Sequence, residues 1–428
     1  MTTAEPTPAP ARSFERSSAL AARAARVIPN GVFGHRRTFA FAAGVLRTIP
    51  DAYPHFIDHA EGCRVHDVDG HEYVDYLCGY GPMIVGYANR AVDAAAAAER
   101  VRGDCYDFPT DTSVRLAERL VAMHAGTAWA ALSLNGTDAV TTAVVIARAA
   151  TGRDVIAMAD GAFHGNHTWA SGGPGWSAAD HHQTRTVPWG DAEALAVALR
   201  AEPVAAVVLC PYEQLVGADN TMPPPGYWAA VRDACTETGT PLIIDDIRSG
   251  FRVDPAGTCA HFGIHPDLLV LSKAMANGYP IAAVLGTEDL RDAASTVFVS
   301  GTFWGYGPSL AAALATLDEL AAPGAYDVLA GLGRRLTDGL TSLARDVGLE
   351  LVVTGAPALP HVRFAEDERF DVACAFATEL AARGTLIHPT HNWFLSLAHT
   401  PGDIDRTLDH AADALRAVAA ARPLTPPA

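Results

Sequence analysis

The chain has 428 residues, 49% of them hydrophobic and 18% charged, which excludes a largely disordered protein and leaves room for two or three domains. Its net charge of −17, with no basic patch, argues against a nucleic-acid partner. No run of about 20 apolar residues is free of charge or turn signals, so no membrane span is expected. Residues 1–12 are Pro/Ala/Thr-rich without a hydrophobic signal core and read as a loose tail, as does the C-terminal "RPLTPPA". The 7 cysteines are scattered and form no C-x-x-C pair. They are expected as reduced thiols in a cytoplasmic protein, and no metal site is expected. "DHH" at 180–182 could hold a metal but reads as a solvated loop.

In chain order, an Arg/Ala-rich helix is predicted over about 13–28, followed by a loop with "PNGVFG". "FIDHAEGCRVHDVDGHEYVDY" (56–76) alternates apolar and polar residues around "DVDG", a hairpin signal. Helices are predicted at 89–102 and 111–125. From about 130 to 290, short apolar runs ("AALSL", "VIAMA", "VAAVVLC", "PLIIDD", "LLVLS", "AAVLG") alternate with helical stretches. That alternation predicts an α/β fold with a mostly parallel central sheet and crossover helices. Past about 305 helices dominate. Short strands ("LELVVTG", "HVRFAE") and a last helix from about 402 follow, suggesting a smaller α+β domain. The expected division is 13–75 packing with the small domain, 76–310 as the large domain and 311–428 as the small one.

The 31 Lys plus Arg comprise 30 arginines and one lysine, Lys273. A bias toward arginine accounts for the 30 but not for the exception. Arginine stays protonated and cannot attack a carbonyl, whereas a desolvated lysine can form a Schiff base. Lys273 follows the apolar run "DLLVLS" and precedes the turn "NGYP", which places it just past a strand end, where α/β sheets bind ligands.

Four further segments carry chemistry. In "SLNGTDAVTTAVVIARAATG" (133–152) a strand meets Asn-Gly-Thr and then a helix, and exposed amides at such a start suit a phosphate. Thr137 as a plain N-cap is the alternative. In "PLIIDDIRSGFR" (241–252) a buried strand ends in Asp245 and Asp246, which a period of two sends to opposite faces. A buried carboxylate needs a cationic partner. The protonated ring nitrogen of pyridoxal 5'-phosphate (PLP) is one; a structural salt bridge or an Mg²⁺-binding pair are others. In "DGAFHGNHTWA" (160–170) the ring of Phe163 could stack on a flat cofactor or belong to the core. "VSGTFWGYGPSLAAA" (299–313) is a Gly-rich loop entering a helix, where Thr302 could add a phosphate donor.

Together these segments resemble the class III aminotransferases of PLP fold type I, most of all the glutamate-1-semialdehyde 2,1-aminomutase branch. "LNGTDA…ARAATGRD" is similar to that branch's "NSGTEA…ARGFTGRD", "FHGN" to "YHGH", "IDDIRSGFR" to "FDEV.TGFR", and "GTFWGYG" to "GTFSGNP". The likeness spans roughly residues 14–420. It implies that Lys273 forms the internal aldimine with PLP and moves the proton between carbon atoms. Asp245 would pair with the pyridine nitrogen. Ile247 and Phe163 would cover the two ring faces, and His164 would lie close to the ring or its aromatic cover. Asn135, Gly136 and Thr137 would hold the phosphate, with Thr302 arriving from the second subunit of a homodimer with shared active sites.

The chain departs from the branch at several positions. Phe163 lacks a tyrosine hydroxyl, Asn135 replaces a serine, and Ala218 replaces an asparagine that could bond the cofactor's phenolic oxygen. Arg248 stands where aminotransferases often carry a glutamine on that oxygen. It would take over the contact or receive a substrate carboxylate, with a surface arginine as the alternative. "HPTHNWF" (388–394) lacks the branch's glutamate. Trp304, Tyr306, His391, Trp393 and Arg248 suggest a pocket that stacks on a ring or grips an acid, and each is equally compatible with ordinary packing.

The leading expectation is a PLP-dependent aminotransferase acting between an amino donor and a carbonyl substrate. The alternatives are an aminomutase, a racemase or epimerase, another Cα-carbanion reaction such as decarboxylation or C–C bond formation, or a non-catalytic relic of the fold.

Overall fold

The computed structural model describes residues 12–31, 38–42, 45–50, 53–172, 175–177 and 179–421. The loose tails expected at 1–12 and 422–428 lie outside these residues, apart from Arg12. The strands are β1 (Thr38–Ala42), β2 (Val45–Thr48), β3 (Ile57–Glu61), β4 (Arg64–Asp67), β5 (Glu72–Asp75), β6 (Trp129–Ser133), β7 (Val155–Ala159), β8 (Thr184–Val187), β9 (Val204–Leu209), β10 (Leu242–Asp245), β11 (Leu268–Leu271), β12 (Ala282–Gly286), β13 (Leu351–Thr354), β14 (His361–Phe364) and β15 (Thr385–Leu386). The helices are α1 (Glu15–Val27), α2 (Arg90–Arg100), α3 (Asp111–Met123), α4 (Gly136–Thr151), α5 (Ala192–Ala201), α6 (Tyr227–Thr238), α7 (Thr258–Phe262), α8 (Arg291–Thr296), α9 (Gly307–Leu320), α10 (Ala325–Asp346), α11 (Asp371–Arg383) and α12 (Pro401–Ala421).

Seven strands form the central sheet in the order β6-β12-β11-β10-β9-β7-β8. Only β12 runs against its neighbours, pairing antiparallel with both β6 and β11. The central strands are buried on both faces: every residue of β9, β10 and β11 is buried. That is why they read as unbroken apolar runs rather than alternating ones.

Alternate side chains enter two separate cores. Ile243, Leu268, Val270 and Val208 pack with Ala139, Val140, Ala143 and Val144 of α4 on one face. Leu242, Ile244, Leu269 and Leu271 join the larger cluster on the other. Truncating one of the large aliphatics to alanine would cost about 2–5 kcal/mol, because the neighbours cannot close the void.

The hairpin expected around "DVDG" is β4–β5, and it belongs to a four-stranded sheet ordered β15-β5-β4-β3. The last member, β15, comes from more than 300 residues away and pairs parallel with β5 (Thr385↔Val74). An N-terminal segment and a C-terminal segment therefore share one sheet. Arg252 adds a tie between them, donating to Leu395 O at 2.7 Å and to Gly81 O. No helix among the described residues is long and apolar enough to cross a membrane.

Candidate active site

The carboxyl ends of β9, β10 and β11 open on a cavity of about 370 Å³. Lys273 stands on its wall, in the short turn that follows β11. Its φ of 44° is left-handed, a conformation that costs a non-glycine residue about 1–3 kcal/mol and persists only where surroundings enforce it. Asn277 closes the same turn with φ 46°. It is anchored by accepting from Val85 N at 3.0 Å and donating to Gly86 O at 2.7 Å. Burial lowers the Lys273 amine to about 7, and the neighbouring Arg248 cation pushes the same way against the opposing pull of Asp245. A large neutral fraction at physiological pH is what an amine nucleophile needs.

Asp245 and Asp246 diverge, as the period of two requires. Asp245 lies on the α4 face and lines the cavity. Its Oδ2 is 2.8 Å from His164 Nδ1, and its Oδ1 accepts from Ile247 N at 3.2 Å. Asp246 points away from the cavity and accepts from Ser249 Oγ at 2.6 Å. Burial raises its carboxyl to about 7, with the Asp245 charge adding to the effect. The pairing of His164 with Asp245 joins residues 81 positions apart, and no local sequence pattern reports it. His164, Cys210 and Asp245 offer potential ligand atoms within 4.8 Å of one another. His164 Nδ1 is already engaged with the carboxylate, and burial pushes the Cys210 thiol up, keeping it protonated.

The start of α4 forms the cavity's opposite wall. Asn135, not Thr137, is the N-cap: its Oδ1 accepts from Asp138 N at 3.0 Å. Thr137 is thereby left with its hydroxyl toward the cavity loop, accepting from Asn166 N at 3.3 Å. The amides of Gly136 and Thr137, in the first turn, have no acceptor inside the helix. Both neighbouring glycines are required. A Cβ at Gly136 would stand 2.6 Å from Ile247 Cδ1, and one at Gly165, with φ +104°, 2.7 Å from Thr137 Oγ1.

Among the residues singled out in the sequence, Asn135, Gly136, Thr137, Phe163, His164, Asp245, Ile247, Arg248 and Lys273 all line this one cavity. Phe163 is 59% exposed at its edge. Arg248 is not a free surface cation. Its Nη1 donates to Gln214 O at 2.7 Å and to Asn392 Oδ1 at 3.3 Å. Thr302, Trp304, Tyr306 and His391 do not line the cavity within this chain. Thr302 is exposed. Trp304 donates to Asp138 Oδ2 at 3.2 Å, on the outer side of the α4 start. His391 is buried against Tyr80, and burial with the nearby Arg248 holds it neutral. Trp393 is a core residue, 1% exposed, donating to His388 O. Sequence reasoning missed Gln214, Cys210 and Tyr279 as cavity residues. Gln214 lay within the divergent "YEQLVGADN", which was the available signal.

Comparison with known proteins agrees with this geometry. The model of the family "Aminotransferase class-III" matches residues 48–417. The aminopentol aminotransferase of Sphingopyxis macrogoltabida is 39% identical over 406 residues, covering 94% of each chain. The glutamate-1-semialdehyde 2,1-aminomutase of Desulfatibacillum aliphaticivorans is 31% identical over 433 residues, covering 94% of this chain and 100% of its own. Among solved structures, the PLP internal aldimine form of the FumI protein of Sphingopyxis sp. MTA144 superposes with a TM-score of 0.90 at 39% identity, covering 94% of this chain and 96% of that one. The match over most of the chain, at these identities, makes this protein a member of the class III aminotransferase family, an aminotransferase whose cofactor is PLP.

Proposed function

We propose that Lys273 is the residue that binds PLP covalently and that the enzyme moves an amino group from an amine donor to a carbonyl acceptor in the cavity around it. The supporting observation is the placement of the chain's single lysine, lowered to about 7, in one cavity with the Asp245–His164 pair. The residues present fit the cofactor. The glycines at 136 and 165 let Ile247 and Thr137 Oγ1 close onto the α4 start, where a Cβ would clash with them, and the first-turn amides of α4 with Thr137 Oγ1 suit a phosphate. Each oxygen of Asp245 has one protein partner, which leaves acceptor capacity for a protonated ring nitrogen. When bound, PLP supplies an electron sink for the electrons released at the substrate's α-carbon.

The protein's own part follows from position. Nζ of Lys273 takes the proton from the reacting carbon and returns it, a role suited to an amine poised near neutrality. His164 orients Asp245 and holds its charge toward the ring site. Ile247 and Phe163 flank the ring, Arg248 offers its remaining donors to the cofactor's phenolic oxygen or to a substrate carboxylate, and Asn135 acts by shaping the phosphate turn. His391, Trp304 and Tyr306 are proposed as outer substrate contacts. The aminopentol aminotransferase relative makes an amine of that kind the first donor to test.

The proposed assembly is a cytoplasmic homodimer. Phe108, Phe298 and Phe303 are 81, 94 and 57% exposed, and a partner subunit would cover them. Two of them flank Thr302, which would then reach the other subunit's cavity. The sharing of one sheet by β3–β5 and β15 supports grouping residues 13–75 with a small C-terminal domain from 311, apart from a large domain over 76–310.

Borohydride treatment of the holoenzyme followed by peptide mass mapping tests the central assignment. Cofactor mass on the Lys273 peptide is expected, with consumption of the aldehyde form when an amine is added without acceptor. A protein that binds no PLP, or that carries it on no lysine, would contradict the reading.

A further inference from the structure

Gln214 is 7% exposed and lines the cavity, yet nothing so far gives it a task. Its surroundings fix which end of its amide faces inward. Ser249 Oγ lies 2.6 Å from Asp246 Oδ1. A hydroxyl carries one proton, and Oδ1 of the Asp246 carboxyl takes it, whether or not that group's other oxygen is protonated. Ser249 Oγ can then only accept from its other neighbour, Gln214, at 3.1 Å, so Nε2 is the end turned toward the serine. Arg248 holds the backbone of the same residue through Gln214 O at 2.7 Å. Among the described residues Gln214 Oε1 has no hydrogen-bond partner. The result is a carbonyl acceptor on a side chain more than nine-tenths buried, held from both ends beside the cavity.

We propose that Gln214 is a specificity-determining residue whose Oε1 accepts a hydrogen bond from a hydroxyl group of the amine substrate. The Arg248 guanidinium shares the cavity with it and repels a second ammonium. A neutral hydroxyl is the donor that suits the site. The hydroxylated substrate satisfies Oε1, whereas an analogue without the hydroxyl covers that acceptor, strips its water and leaves it unpaired, which is the kind of difference that discriminates strongly. The inference rests on the amino-transfer reading above and adds the substrate class.

The test uses the PLP-loaded enzyme and a series of primary amines, each paired with its analogue hydroxylated near the amino carbon. The half-reaction is followed by loss of the aldehyde-form absorbance. The wild type is expected to favour the hydroxylated member in kcat/KM by about fivefold or more. Gln214→Leu is expected to bring that ratio close to one, with melting temperature and bound PLP checked to confirm a folded holoenzyme. Should Gln214→Leu fail to fold, Ser249→Ala carries the test. It frees the amide to turn and is expected to lower the ratio by a smaller factor. A wild-type ratio near one, or a ratio that the folded variants leave intact, overturns the proposal. No reaction with either member of any pair in a fully loaded wild type overturns the amino-transfer reading and this inference with it.

Discussion

The cavity floor and the 298–306 loop carry the same kind of residues to opposite ends. On the floor, Asp245, His164, Asn277 and the α4 start each have a partner inside the chain, at 2.7–3.3 Å. In the loop, Phe298 is 94% and Phe303 57% exposed, and Thr302 reaches no part of the cavity. The contrast separates a site whose groups are held within one chain from a loop that, on the proposed dimer, would act only against a second copy. The groups proposed to handle the proton are pre-positioned within one chain. On the proposed dimer, the loop's contribution to cofactor binding would be a property of the assembly.

The sharpest break in that contrast is Lys273→Ala. It removes the proposed covalent anchor and proton carrier, so turnover is expected to fall by roughly ten-thousandfold or more, while the far-ultraviolet circular dichroism stays as in the wild type. Asp245→Asn keeps the shape but removes the charge. A loss in kcat of about a hundredfold is expected, in line with removing one preorganised electrostatic partner. His164→Gln would act only through Asp245 and is expected to cost about tenfold in kcat, with KM little moved.

The loop's side of the comparison is read by assembly. Phe298→Asp with Phe303→Asp is expected to shift the protein toward monomer in analytical ultracentrifugation and to weaken PLP retention together with it. If the monomer kept its cofactor as tightly as the wild type, the loop would have no part in the site.

The smallest effect expected is on stability. The folded pKa of Asp246, raised to about 7 by burial, exceeds the unfolded value of about 3.9. Between these values the folded state holds a proton that the unfolded chain has released. The contribution is therefore full below about pH 4 and is lost as pH rises through about 7. Asp246→Asn is expected to flatten that slope and to raise the melting temperature at pH 8 by about a degree or more, as checked by scanning calorimetry from pH 4 to 8.

Much of the floor was legible in the sequence because its signals are local. A doubly buried strand reads as an apolar run, so "PLIIDD" and "LLVLS" place Asp245 and Lys273 at strand ends. Asn-Gly-Thr before an apolar helix places the α4 start, although the cap proved to be Asn135. What sequence reading missed depends on long-range pairing. The antiparallel β12 cannot be told from a parallel strand, since both faces are buried either way. Two-residue β15 exists only because β5 offers it an edge. α11 was passed over because its apolar residues are mostly alanines and its periodicity is weak. The bonds from His164 to Asp245 and from Gln214 to Ser249 join distant residues and leave no spacing pattern.

The central claim is that Lys273 is held partly uncharged by the cavity, and the chain's composition permits a direct measurement. Labelling lysine at Cε gives a single-residue probe, because Lys273 is the only one. Its carbon resonance in the cofactor-free protein should titrate with a midpoint near pH 7, and Arg248→Met should move that midpoint upward. A midpoint near 10, the value of a lysine in water, would contradict the account.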